Sequence, residues 1–351
     1  MSARRLHRWL GLVLGAWFLL VGVTGAVLVY WHALEAAQLP TPAAGTALPM
    51  QVLFEAASRH MNDVPWRFFP ADEHSAHARA IFLTDPGRII LLLEPSTGVV
   101  QGSLPWRGAV VHWIYDFHAN ALAGRTGKLL VGLSAFPLLL MMVFGVRLWL
   151  KRGAVPLGES IIPRRGLRGR RLLSHTHRVA GFWALLPLLL ATITGLSLSF
   201  PETTREVLEP FTAPSPEFRV PVAKGTGPVD LDGAMAAVRA AMPGWRLAWA
   251  EPPEDDVPDW LLVLLPEAQT WPSGRAAAYV NAQTGRLEEV RLPDSVDHIR
   301  AWIMALHNGE AFGLAHRLVV IALGLTLCGM AVLGFLLWRR GRKPAPAAVT
   351  A

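Results

Sequence analysis

The sequence predicts a membrane α-helical bundle of four transmembrane helices with two external α+β modules, organised as an internal parallel two-fold repeat. Three observations predict it. There are four apolar runs of membrane length, the basic residues cluster at alternate ends of those runs, and residue pairs recur at a fixed offset.

Crossing a bilayer takes about 20 apolar residues. Four segments meet that length: Trp9–Trp31, Leu129–Leu150, Val179–Phe200 and Leu318–Trp338. The chain has 351 residues, 52% hydrophobic and 17% charged, with a mean hydropathy of +0.34. The first run is too long for the apolar region of a signal peptide, and no small-residue cleavage site follows it directly, so it reads as a retained helix.

A net charge of +7 is compatible with nucleic acid, but its distribution points to a membrane. Arg4, Arg5 and Arg8 lie in the N-terminal segment 1–8. Lys151, Arg152, Arg164, Arg165, Arg168, Arg170 and Arg171 lie in the link 151–178. Arg339, Arg340, Arg342 and Lys343 lie in the tail 339–351. Basic residues mark the cytoplasmic side. Both termini and the central loop are therefore expected inside, in an inner membrane, with segments 32–128 and 201–317 in the periplasm. Acids such as Glu251, Glu254, Asp255, Asp256 and Asp259 balance the charge there, and no nucleic-acid partner is expected.

The repeat is read from matched positions. His7-Arg8 and Thr24-Gly25 recur as His177-Arg178 and Thr194-Gly195, both at an offset of 170. Trp113, His118, Gly145 and Trp149 recur as Trp302, His307, Gly334 and Trp338, at an offset of 189. The unit is helix, external module, helix, and each half enters and leaves on the same side. The halves are then parallel repeats about an axis along the membrane normal.

Each external segment reads as a small α+β module. MQVLFEAASRHM and LDGAMAAVRAAM have helical periodicity. AIFL and RIILLLEP follow the first, and WLLVLLP and AAAYVN follow the second. The turns PSTG and AQTG then lead to a final strand in each.

Twelve histidines carry the candidate chemistry. His60, His74 and His77 read as surface residues of the first module, His32 as interfacial and His298 as solvated. The repeat-matched ones differ. A two-fold axis brings His7 and His177 to equivalent positions near the cytoplasmic face, and His118 and His307 near the outer face. Two imidazoles facing across a bundle axis are the axial ligands of a six-coordinate b-type haem. Two haems b are expected, with ligand planes about 25–30 Å apart across the hydrocarbon core. Arg8 and Arg178 are placed to pair with haem propionates. The alternative is that these histidines are interfacial helix-end residues.

Neighbouring histidines compete for these places. His175 points about 200° away from His177 on a helix, and Arg5 occupies the position matching His175. His112 matches Ala301. His316 matches Gly127 and stands as the first substitute ligand for the outer site. The glycines of Gly11-x-x-x-Gly15 and of the two Thr-Gly pairs allow close approach of helices or of a flat macrocycle. The one cysteine, Cys328, excludes an intrachain disulfide, a thiolate iron–sulfur site and covalent haem attachment. The absence of G-x-G-x-x-G argues against a nucleotide domain.

LHRWLGLVLGAWFLLVGVTG, YDFHANALAGRTGKLLVGL, HRVAGFWALLPLLLATITG and LHNGEAFGLAHRLVVIALGL, with FLLWRR closing the last span, resemble the PepSY-associated transmembrane helix family over nearly the whole chain. The external modules are similar to PepSY domains. Members of that family include inner-membrane di-haem reductases of ferric siderophores. The resemblance implies His7, His177, His118 and His307 as ligands, electrons entering near the cytoplasmic face, and a ferric siderophore or other ferric chelate as acceptor outside. Ala119-Asn120 after His118 departs from the Arg and small residue of many relatives. The electron donor is left open between a quinol, a reductase or other protein, and a diffusible reductant. Trp106, Trp113, Trp271 and Trp302 read either as acceptor contacts between the modules or as an aromatic belt. The competing function is a non-enzymatic PepSY-type binding or regulatory protein of the cell envelope.

Overall fold

The computed structural model describes residues 2–341, apart from 74, 86, 152–156, 222–224 and 269–270. Its helices are α1 (Ala3–Leu28), α2 (Trp31–Ala36), α3 (Met50–Met61), α4 (Val110–Asn120), α5 (Gly124–Leu133), α6 (Ala135–Leu150), α7 (Leu157–Ile161), α8 (Gly169–Ser199), α9 (Pro201–Leu208), α10 (Leu231–Ala241), α11 (Ser295–Asn308) and α12 (Gly313–Arg340). Its strands are β1 (Arg67–Phe69), β2 (Ala78–Thr84), β3 (Gly87–Leu93), β4 (Val100–Pro105), β5 (Trp245–Glu251), β6 (Asp259–Pro266), β7 (Ala276–Asn281) and β8 (Leu287–Arg291). The chain divides into two compact units. One is Met1–Val29, Ile114–Thr204 and Ile303–Ala351, and the other is Tyr30–Trp113 and Arg205–Trp302.

The first unit is helical. Four stretches are long and apolar enough to cross a membrane: α1, the α5–α6 stretch Gly124–Leu150, α8 and α12. The helices run past the apolar runs that identify them. α8 begins at Gly169, well before Val179, so the histidines and arginines of RRLLSHTHR are helical. α1 stops at Leu28, short of Trp31, which opens α2. The second span divides at Ser134, just ahead of Pro137.

Span one crosses span four at a pair of glycines. A Cβ on Gly22 would lie 2.8 Å from the Gly324 carbonyl oxygen, and one on Gly324 would lie 2.5 Å from that of Gly22. Without water to drive helices together, such backbone approach supplies the packing. The Cys328 thiol donates to the Gly324 carbonyl at 3.1 Å, so this cysteine is a small interface residue.

The second unit is one antiparallel sheet of eight strands, ordered β4-β3-β2-β1-β5-β6-β7-β8. The two segments expected as separate modules thus share a sheet. Each supplies a four-stranded meander, and the short β1 pairs with β5 through Phe68 and Ala250. α3 and α10 cover one face. Their N-termini cap each other: the Asp232 carboxylate accepts from the Met50 and Gln51 amides at 3.1 and 2.9 Å, and Gln51 Oε1 accepts from the Leu231 amide at 3.1 Å. Orphan helix-end donors are satisfied in this way. One core lies beneath both helices, with Phe54 between Phe68 and Trp260 at ring-centre distances of 6.2 and 5.5 Å.

Candidate functional site

Within the helical unit the four repeat-matched histidines meet in two pairs. The ring centres of His7 and His177 are 6.1 Å apart, and so are those of His118 and His307. The first pair comes from α1 and α8. The second comes from α4 and α11, which precede spans two and four. Those two helices turn back sharply into the spans, through Ala121, Leu122 and Gly124 on one side and Gly309 and Gly313 on the other, all with positive φ.

Each imidazole of the His118–His307 pair is held from behind in the same way. Thr24 donates its hydroxyl hydrogen to the Leu20 carbonyl at 2.8 Å, which leaves its oxygen to accept from His118 Nδ1 at 3.0 Å. Thr194 bonds Leu190 at 2.8 Å and accepts from His307 Nδ1 at 3.0 Å. With the hydrogen on Nδ1, Nε2 keeps its lone pair for a ligand. The adjoining glycines give the rings room. A Cβ on Gly25 would stand 2.9 Å from His118 Cε1, and one on Gly195 would stand 3.0 Å from His307 Cε1.

The His7–His177 pair is held less evenly. His7 Nδ1 donates to the Met141 carbonyl at 3.0 Å. His177 Nδ1 is buried with no hydrogen-bond partner. The two pairs lie at opposite ends of the same helices. Thr24 is 17 residues beyond His7 (24 − 7), and Thr194 is 17 beyond His177 (194 − 177). That is about 25 Å of helix rise in each case.

The spacing suits an ion gripped on two sides. Imidazole nitrogen binds first-row metals at about 2.0–2.1 Å, and the ring centre lies about 1 Å further on, so two ligands on one ion place their ring centres about 6 Å apart. Two nitrogens do not saturate a bare ion. Among the described residues no group of three or more His, Cys, Asp and Glu is placed to hold one. The donor set fits an ion whose other four positions come from a planar macrocycle.

The remaining sequence candidates fall elsewhere. Arg8 is exposed and lies 5.8 Å from the ring centre of its neighbour Trp9. Arg178 keeps a buried Nε without a hydrogen-bond partner. His316 is on α12 against Phe312, ring centres 5.5 Å apart, while His307 pairs with His118. His175 is buried, and its Nε2 meets the Arg164 amide and the Ile162 carbonyl at 3.1 and 3.0 Å, so it fastens the basic loop.

In the sheet unit, His60 and His298 are exposed as expected, and His74 lies outside the described residues. The expectation for His77 is corrected. It is buried, and its Nε2 bonds Gln101 at 2.7 Å, which in turn donates to the buried Glu94 at 2.6 Å. Helical periodicity carries no sign of this strand-edge network. His112 is fully buried between Trp106, stacked at 4.6 Å, and Trp31 at 5.1 Å. It bonds the Trp106 carbonyl and, at 3.3 Å, Glu35. Burial pushes the Glu35 carboxyl up, but the His112 hydrogen bond and the Arg79 charge outweigh it and hold the group below its usual range. Trp113 donates to the Arg107 carbonyl, and Trp271 stacks on Trp302 at 5.8 Å.

The family model of the PepSY-associated TM region matches residues 4–340. The chain belongs to that family. A comparison with curated proteins gives no match. As a PepSY-associated TM protein with four apolar helices of membrane length, it is a multi-pass membrane protein. Thr24 and Thr194, which hold His118 and His307, are candidate site residues that sequence reasoning missed. The signal is present in the sequence, because Thr24-Gly25 recurs with the same offset as His7-Arg8.

Proposed function

We propose that this protein is a b-type di-haem membrane protein that passes electrons from the cytoplasmic side of an inner membrane to a ferric chelate, such as a ferric siderophore, outside it. The two imidazole pairs at 6.1 Å carry this reading. His7 and His177 would hold one haem and His118 and His307 the other, and iron in such sites supplies reversible one-electron chemistry. Thr24 and Thr194 orient the outer ligands and fix their tautomers. Met141 does the same for His7. The 17-residue separation along α1 and α8, about 25 Å of helix rise, supports one pair near each face of a hydrocarbon core about 30 Å thick.

The basic N-terminus, central link and tail support cytoplasmic termini. The matched histidines and threonines, and a strand order that mirrors about the β1–β5 junction, support descent of the two halves from one duplicated unit. Detergent-purified protein should show sharp reduced α and β bands and about two haems b per chain by pyridine haemochrome. The double variant His118→Ala/His307→Ala should fall to one haem and lose reduction of external ferric chelate. Purification from haem-replete cells without a Soret band would overturn the reading.

A further inference from the structure

The sheet face opposite α3 and α10 carries an aromatic, cationic seam that the histidine pairs do not use. It lies where the two meanders join. Phe69 on β1 and Arg79 on β2 are cross-strand partners, and the Arg79 guanidinium stands 5.2 Å from the Phe69 ring centre. Trp249 on β5 packs beside Phe69 at 5.9 Å. Arg275 covers Trp249 at 5.0 Å. Next to Phe69 the surface sinks into a cavity of about 200 Å³, also lined by Trp31, Trp106 and Ile81.

The charges of the seam are unequally matched. Arg67, also against Trp249, is paired with Glu251 at 2.7 Å. Glu35, in the cavity wall, is bonded to His112 and lies in range of the Arg79 charge without forming an ion pair with it. Arg79 and Arg275 form no ion pair among the described residues, and Arg79 Nε is buried without a hydrogen-bond partner. A buried donor left unmade costs more than a satisfied one returns, and a guanidinium fork matches paired oxygen anions. Flat ring faces beside such forks favour flat ligand arms.

We propose that this seam binds a polyanionic ferric chelate with aromatic arms, of the tris-catecholate class, with Arg79 and Arg275 meeting its oxygen anions and Phe69 and Trp249 meeting its rings. This rests on the ferric-chelate reading above and narrows it. A neutral trihydroxamate chelate gains nothing from the two guanidinium groups.

The test uses the full-length protein in detergent and gallium(III) complexes, which bind like the ferric ones but are not reduced. Titration calorimetry compares Ga(III) tris-catecholate with a neutral Ga(III) trihydroxamate. The catecholate complex should bind at least about tenfold more tightly, and Arg79→Gln or Arg275→Gln should each weaken it by about tenfold, the scale of one charge-assisted hydrogen bond. Arg239→Gln, on the exposed side of α10, should leave it unchanged. Rising salt should weaken catecholate binding alone. Equal affinity for both complexes, or no effect of either seam variant, would overturn the inference. Because gallium is not reduced, failure of haem loading or electron transfer leaves this binding result standing, so the two readings fail separately.

Discussion

Thr24 Oγ1 accepts the hydrogen of His118 Nδ1 at 3.0 Å, and Thr194 does the same for His307 at the same distance. The consequence is chemical as well as geometric. Both imidazoles are driven to one tautomer and turned so that Nε2 points away from the threonine. Thr24→Val and Thr194→Val keep the shape and remove the acceptor. Loss of such a supporting bond commonly costs about 10–100-fold in metal affinity. On the di-haem proposal, either variant should lose the haem at His118 and His307 to apomyoglobin faster while keeping the one at His7 and His177, and the reduction potential at the former pair should shift. Haem loss and potential both equal to wild type would show that the threonines merely pack.

Gly25 and Gly195 set the room behind the same rings. A methyl at either would stand about 3 Å from a Cε1 atom, tighter than carbon contacts at about 3.5–4.0 Å allow. The ring must then rotate or its helix must shift. Gly25→Val or Gly195→Val should reduce the haemochrome ratio toward one haem per chain. Gly11→Ala serves as the control, since its Cβ meets only the mobile Met141 Cε at 3.5 Å. An unchanged ratio in both outer variants would sink the idea that these glycines shape the site.

Much of this is legible in the sequence, for a physical reason. Long apolar runs, basic flanks and a fixed repeat offset are one-dimensional signals, so the spans and the pairing of His7 with His177 could be read directly. The joining of the modules could not. β1 is three residues long, too short for its alternation to register, yet Phe68 opposite Ala250 merges two meanders into one sheet. His77 and His112 were also beyond reach. Each is satisfied by a residue far along the chain or by a backbone carbonyl, and a polar sequence neighbourhood reports neither. The choice of His177 over His175 rests on the repeat, because Arg5 occupies the position matching His175, and helical phase adds that only one of the two can face the bundle centre.

Arg205 grips two carboxylates, Asp294 at 2.7 Å and Asp297 at 2.6 Å. Burial alone would raise the Asp294 carboxyl, but the hydrogen bond and charge of Arg205, with the Asp297 and Val296 amides, outweigh it and hold it below the usual aspartate range. The folded value is therefore lower than the unfolded one of about 3.9. The stabilisation is fully present above the unfolded value and is lost as pH falls through the folded one. Wild-type Tm should fall as pH drops from 5 through the region below about 4. Arg205→Met should start lower at pH 5 and lose less over the same interval. Parallel curves for the two proteins would remove this ion-pair cluster from the acid response.

Gly22 and Gly324 make the sharpest demand on span packing. Each lies against the other's carbonyl oxygen, and a Cβ on Gly324 would also come within 2.9 Å of Ala26 Cβ. The nearest atoms are backbone, so no side chain can swing aside and the helices must separate. The sequence positions at the same offsets in spans two and three are Ala135 and Thr192 (324 − 189 and 22 + 170), and both carry a Cβ. Gly324→Leu and Gly22→Val should therefore lower the Tm of the detergent-purified protein by several degrees, since loss of close packing in a core of this kind costs about 1–3 kcal/mol. Ala135→Gly, which only removes a methyl, should have a much smaller effect. Because α1 carries both His7 and Thr24, displacement of that helix should also disturb both proposed haem sites together, unlike the single-site losses expected for the Thr and Gly25 variants. A Gly324→Leu protein with normal Tm and two haems would mean that the crossing at Gly22 is looser than its geometry requires.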